Sequence, residues 1–120
     1  MIHKTGTPGR TAENLALDYL LQQGLKLIER NYYCRFGEID LIMQDCTEIA
    51  FIEVRFRAYD RYGSAIESVS KIKQNKLITT ASHYLMTKKL GDTACRFDVV
   101  GLSGMLKEPN INWIRNAINT

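Results

Sequence analysis

Four charged residues interrupt two apolar runs: Glu38 and Asp40 in "GEIDLIM", and Glu53 and Arg55 in "FIEVRFR". Both runs are rich in Ile, Val and Phe and read as strands, over about residues 36–44 and 48–57, joined by the polar "DCT". Side chains alternate faces along a strand, so Ile39, Leu41 and Met43 are expected on one side, with Glu38, Asp40 and Ile42 on the other. In the second strand Ile52, Val54 and Phe56 face one way, and Phe51, Glu53, Arg55 and Arg57 the other. An antiparallel hairpin with an even-numbered loop sets Asp40 opposite Glu53 and Glu38 opposite Arg55. An odd loop would cross polar with apolar faces. Two carboxylates about 4 Å apart at an effective dielectric near 20 repel by about 4 kcal/mol. Compensation can come from Arg55 or Arg57, from a shared proton, or from a divalent metal. Mg²⁺ takes hard oxygen ligands, commonly one or two carboxylates, and keeps positions for water and phosphate. With a basic group on the same strand face, that is phosphodiester hydrolysis in outline. Glu and Arg two residues apart on a half-exposed sheet also form ordinary ion pairs, usually contributing under about 1 kcal/mol.

The elements around these strands follow from periodicity. "TPGRTAENLALDYLLQQG" has Thr7 as a cap, Pro8 in a first turn, and Ala12, Leu15, Ala16, Tyr19 and Leu20 at helical spacing before Gly24. "LKLIERNYYC" reads as a strand. After the loop "AYDRYGSA" a second helix carries an apolar stripe of Val69, Ile72, Leu77, Ala81, Tyr84 and Leu85, and Gly91 is expected to end it. "CRFDVVGL" is a β-branched strand, and "INWIRNAI" suits an edge strand or a short helix, the strand being preferred. The order α-β-β-β-α-β-β predicts a mixed sheet flanked by helices, an α/β domain.

At 120 residues the chain fits one domain, 1–120, with residues 1–7 as a flexible N-terminus. No apolar run approaches the roughly 18 residues of a membrane span, and "MIHKTGTPGR" has no apolar signal core, so no membrane association is expected. Cys34, Cys46 and Cys95 are odd in number and widely spaced, which suits reduced thiols in a cytoplasm. The net charge of +3 permits a nucleic-acid partner only if the positives cluster.

"GEIDLI", "FIEVRFR", the "AEN" of the first helix, "KIKQNKL" of the second and "RFDVV" together resemble the YraN family of bacterial proteins, from about residue 8 to 118 and in the same motif order. That family is assigned to the restriction-endonuclease-like fold and is similar to archaeal Holliday-junction resolvases, whose sites follow the pattern Asp, then Glu-x-Lys. The resemblance implies Asp40 and Glu53 as ligands of Mg²⁺ or Mn²⁺, with Glu13 approaching from the first helix. The lysine of the pattern is Arg55 here. Arginine stabilises a phosphate but is a poor proton acceptor. Some enzymes of this broad fold take the lysine from a neighbouring helix, so the resemblance implies Lys73 of the second helix as the candidate substitute.

Arg57, Arg61, Tyr59 and Tyr62 suit contact with a nucleic-acid backbone and equally a plain surface loop. Gln74 is a further candidate contact. Arg96 and Asp98 read as a structural ion pair, Trp113 as packing, and His3 and His83 as exposed. The implied function is a metal-dependent endonuclease on DNA, branched DNA included, acting as a homodimer by analogy with resolvases. The alternatives are a nucleic-acid-binding module without catalysis and a protein-interaction domain.

Overall fold

In the computed structural model of the chain, residues 7–57 and 66–118 are described. Helix α1, Thr7–Gln22, is followed by strands β1, Lys26–Cys34, β2, Gly37–Asp45, and β3, Glu48–Arg57. A 3₁₀ turn, Ile66–Ser68, leads into helix α2, Lys71–Thr87, and strands β4, Cys95–Ser103, and β5, Asn110–Ile114, complete the chain. The order α-β-β-β-α-β-β is the expected one, and "INWIRNAI" does supply the last strand. The expectation for residues 1–7 falls almost wholly outside the described residues.

The five strands form one sheet in the order β1-β2-β3-β4-β5. Neighbouring pairs are antiparallel except β3 and β4, which are parallel. Parallel neighbours need a crossover, and α2 provides it. The sheet therefore has two apolar faces, each with its own helix. On one, Leu41, Met43, Ala50, Ile52, Val54, Val100 and Leu102 pack with Ala12, Ala16, Leu17 and Leu20 of α1. On the other, Ile42, Ile49, Phe51, Phe97 and Val99 pack with Leu77, Ala81 and Tyr84 of α2. Phe51 stacks on Phe97 at 5.4 Å between centroids and meets Tyr84 edge-on at 5.9 Å.

Helix ends are set locally. Gly24, at φ +98, turns the chain out of α1 while the Leu25 N–H donates back to Leu20 O at 3.1 Å. The Ser70 hydroxyl caps α2 by accepting the Lys73 N–H at 3.1 Å. At the other end α2 stops at Thr87 rather than running to Gly91. Lys89 takes the left-handed turn, with φ 58, and Leu90 N–H closes on Leu85 O at 2.7 Å.

The β2–β3 register runs Asp45↔Glu48 to Leu41↔Ile52, the phase an even loop dictates. Two assignments of faces differ from expectation. Ile72 is 70% exposed, because it lies with Asn75, Lys76 and Thr79 on the outer side of α2, away from the buried Leu77, Thr80, Ala81 and Tyr84. Ile39 packs with Ile42 on the α2 side rather than with Leu41 and Met43. The alternation slips at Asp40, since Ile39 and Ile42, three residues apart, share the α2 side. Paired register with β3 ends at Leu41, and on β1 it skips Asn31, whose φ of 51 is left-handed.

Arg96 ties the β2–β3 hairpin to β4. Its guanidinium donates to Asp98 Oδ1 at 3.0 Å, Glu48 Oε1 at 2.8 Å and Asp45 Oδ2 at 2.9 Å. Burial alone would lower its pKa, but hydrogen bonds from Asp98, Glu48 and Asp45 outweigh that and raise it. Asp98 also accepts from Trp113 Nε1 at 3.0 Å and from the Asn116 N–H at 2.9 Å, so this pair is structural, as read.

Candidate active site

The slip in β2 is what builds the site. Asp40 turns its carboxylate towards β3 and accepts the Val54 N–H on Oδ2 at 2.8 Å. Val54 directly follows Glu53, so the Asp40 carboxylate lies against the Glu53–Val54 peptide. Both acids are only 2% exposed, which sets them apart from the half-exposed surface pairs that their spacing alone also allowed. The two strands part immediately beyond the last paired residues, Leu41 and Ile52, and the carboxylates occupy the next position on each.

Two cations attend Glu53. Lys73 reaches from the first turn of α2, with Nζ 3.8 Å from Oε2. Arg55 lies two residues along β3 on the same face, with one terminal nitrogen 3.3 Å from the same oxygen. Arg55 is otherwise engaged. Its Nε donates to Ser68 Oγ at 3.0 Å and its other terminal nitrogen to Ser68 O at 3.3 Å. The fork of the guanidinium thus clamps the 3₁₀ turn to β3, and two residues on, Ser70 starts the helix that carries Lys73. Gln74 serves the same segment, donating through Nε2 to Val69 O at 3.0 Å.

Glu13 is wholly buried. Arg30 Nε and a terminal nitrogen approach its Oε1 at 3.3 and 2.8 Å, and Asn31 Nδ2 donates to Oε2 at 3.0 Å. Glu13 therefore grips β1 at the left-handed Asn31, the position opposite Asp40 if the β1–β2 register is continued. Among the described residues, no group of three or more His, Cys, Asp or Glu side chains gathers as a metal cage. Asp40 and Glu53 form a pair, and Glu13 acts on the neighbouring strand.

Arg57 lies half-buried at the end of β3, in register with Ser103. Arg61, Tyr59, Tyr62 and His3 lie outside the described residues. His83 is half-buried rather than exposed, with Nδ1 2.6 Å from the Tyr32 hydroxyl. The sequence reading missed Arg30, Asn31 and Ser68. A left-handed residue is more often Asn than most, and that was the one local signal available.

Fold and site together define a mixed α/β domain whose sheet opens around a buried Asp–Glu pair, met by a lysine from the crossover helix. Within that class the chain belongs to the family described as Uncharacterised protein family UPF0102, the YraN family, which residues 12–102 match. It is 51% identical to a UPF0102 protein of Nitrosomonas europaea over 95% of both chains. A UPF0102 protein of Nitrosococcus oceani is 50% identical over 91% of this chain and 89% of its own. Among solved structures, Pyrococcus furiosus SfsA in complex with Ca²⁺ aligns over 93% of this chain and 64% of that one. Its TM-score is 0.34 at 13% identity, too low a likeness to carry an argument. No helix among the described residues is long and apolar enough to cross a membrane.

Proposed function

We propose that this protein is a divalent-metal-dependent endonuclease that hydrolyses phosphodiester bonds of DNA, with branched DNA among its substrates. One observation supports this reading above the rest. Lys73, named as the substitute for the missing lysine of the Glu-x-Lys pattern, stands with Nζ 3.8 Å from Glu53, beside Asp40 at the parting of two strands.

The donor set fits Mg²⁺ or Mn²⁺. Two carboxylates with hard oxygens suffice when water and phosphate oxygens complete the shell. When bound, the metal neutralises phosphate charge and acidifies water. The protein's own groups do the remainder. Asp40 and Glu53 are fixed by the backbone bond and by Arg55. Lys73 adds a compact positive charge where negative charge develops on the phosphate, and it can give or take a proton, which Arg55 cannot. Arg55 acts by position, holding the turn from which α2 and Lys73 project. Glu13 shapes the neighbouring strand through Arg30 and Asn31.

Titration calorimetry with Mn²⁺ tests the metal. Wild type is expected to release or absorb binding heat that Asp40→Asn lacks, since the amide keeps the shape and removes the charge. Equal heats for the two proteins would exclude Asp40 from a metal site.

A further inference from the structure

Alongside Lys73, the outer side of α2 and the β1–β2 turn frame an open pocket of about 280 Å³, lined by Phe36, Ile72, Asn75, Lys76 and Thr79. Two of its walls are apolar groups that a fold alone would bury. Ile72 is 70% exposed and Phe36 36% exposed. Phe36 is nonetheless held still. The Arg35 guanidinium sits 4.8 Å over its ring and His83 meets it at 5.9 Å between centroids. Neither Arg35 nor His83 lines the cavity, so the ring is braced from outside and presented inward.

The brace continues in the backbone. A Cβ on Gly37 would come within 2.9 Å of Thr80 Oγ1, and that hydroxyl is fixed by its bond to Lys76 O at 2.7 Å. β2 therefore begins hard against α2, which sets Phe36 beside Asn75 and Lys76. Among the described residues, the side chains of Asn75 and Lys76 have no hydrogen bond or ion pair.

We infer that this cavity is a nucleobase subsite, which takes one unpaired base of a nucleic-acid strand. The chemistry matches in three parts. A flat apolar wall of Phe36 and Ile72 suits the face of a base, and stacking of this kind is indifferent to base identity. The Asn75 amide offers both a donor and an acceptor to a base edge. Lys76, in the pocket wall, offers positive charge to the adjoining phosphates. The volume falls below the usual range for drug-sized ligands and suits a single ring system. The inference rests on the nuclease reading for its direction only. Lys76 lies three residues from Lys73 on the same helix, about 4.5 Å along the axis, close enough for neighbouring nucleotides of one strand to meet both. The substrate would then carry an unpaired base next to the bond that is cut.

The test is equilibrium binding of fluorescein-labelled dT₁₂ and rU₁₂ single strands, a 12-base-pair duplex and an abasic 12-mer to the full chain. It is run in chelator, so that it does not depend on cleavage. Wild type should bind at least one of the single strands more tightly than the duplex and the abasic strand. Phe36→Ala should weaken that binding by about 5- to 150-fold, the size of one lost stack, and should no longer distinguish abasic from normal strand. Phe36→Trp should keep the discrimination, which separates stacking from a folding defect. Lys76→Ala should flatten the slope of log affinity against log salt by about 0.7, one phosphate contact. Equal binding of normal and abasic strands by wild type overturns the inference, as does discrimination that survives in Phe36→Ala. Base-dependent binding without any cleavage in Mn²⁺ would keep the subsite and remove the nuclease. Cleavage whose binding step ignores Phe36 would do the reverse.

Discussion

Glu13 poses the sharpest energetic question, because a ligand role and a structural role predict opposite signs. Consider Arg30→Ala. Glu13 is wholly buried, and Arg30 supplies two of its three described hydrogen-bond donors, at 3.3 and 2.8 Å, while Asn31 supplies the third, at 3.0 Å. Removing one partner of a buried pair costs about 3–5 kcal/mol. The lower end applies here, since Asn31 still donates to Oε2 and the Arg30 side chain is 24% exposed, so part of the pair is already solvated. A loss of about 3 kcal/mol in a domain of this size lowers the melting temperature by about 12 °C. Glu13→Gln is gentler. The amide oxygen can still accept from Arg30 and the amide nitrogen can donate to a flipped Asn31, so only the charge assistance is lost, about 1–2 kcal/mol. Urea and thermal unfolding at pH 7 in chelator measure both. If Glu13 were instead crowded against Asp40 and Glu53 as a third ligand, Glu13→Gln would stabilise the metal-free protein. Such a gain, or an Arg30→Ala protein within about 0.5 kcal/mol of wild type, refutes the structural assignment.

Three further outcomes follow from the same geometry. Gly37→Ala should destabilise by about 1–3 kcal/mol, because the new methyl meets Thr80 Oγ1 at 2.9 Å and φ there is +152; Thr80→Ala in the same chain should recover part of the loss, and strict additivity in denaturant titrations would contradict the contact. Asp40→Asn should be neutral or stabilising in chelator, because it relieves the carboxylate pair while keeping an acceptor for the Val54 N–H. Asp40→Ala, which orphans that N–H, should cost about 1–3 kcal/mol, and melting curves that rank the two variants the other way would count against the geometry. Stability should also fall at alkaline pH. Burial, with Glu48 second, raises the Cys95 pKa, and burial likewise raises Tyr32 and Tyr84. Groups raised in the folded state stabilise fully below their unfolded values and lose that contribution as pH climbs through the folded ones. The decline should begin near pH 8.5 with Cys95 and continue past about pH 10 with the tyrosines. Cys95→Ser should remove its first part, and an unchanged onset would reject Cys95 as the cause.

The sequence made the element order readable because each strand and helix advertises its own period. It also made the β2–β3 phase readable, since only an even loop keeps Leu41 and Ile52 on one face. Lys73 was reached by a different route, through the mismatch between Arg55 and the resolvase pattern. What stayed hidden depends on contacts distant in sequence. The burial of Glu13 needs Arg30 and Asn31 on another strand, and the slip at Asp40 needs the left-handed Asn31 beside it. Arg55 looked like a free phosphate ligand because Ser68, its partner, lies thirteen residues on, past a segment of no clear period. His83 looked exposed because Tyr32 is fifty-one residues away. Ile72 looked buried because it is apolar and three residues from Val69, yet it sits on the outer side of α2 with the exposed Asn75, Lys76 and Thr79.

The claim that Asp40, Glu53 and Lys73 form a metal-dependent nuclease site is tested most directly by cleavage. Branched, flapped and linear DNA are incubated with wild type, Asp40→Asn and Lys73→Met in Mg²⁺ or Mn²⁺, with circular dichroism to show that each protein is folded. Lys73→Met keeps the stem of the side chain and removes its charge. The account predicts cleavage of branched or flapped DNA by wild type, abolished by chelator, and a loss of about 100-fold or more in each variant. Wild type that cuts none of the substrates with either metal, or Lys73→Met that cuts as fast as wild type, would contradict it.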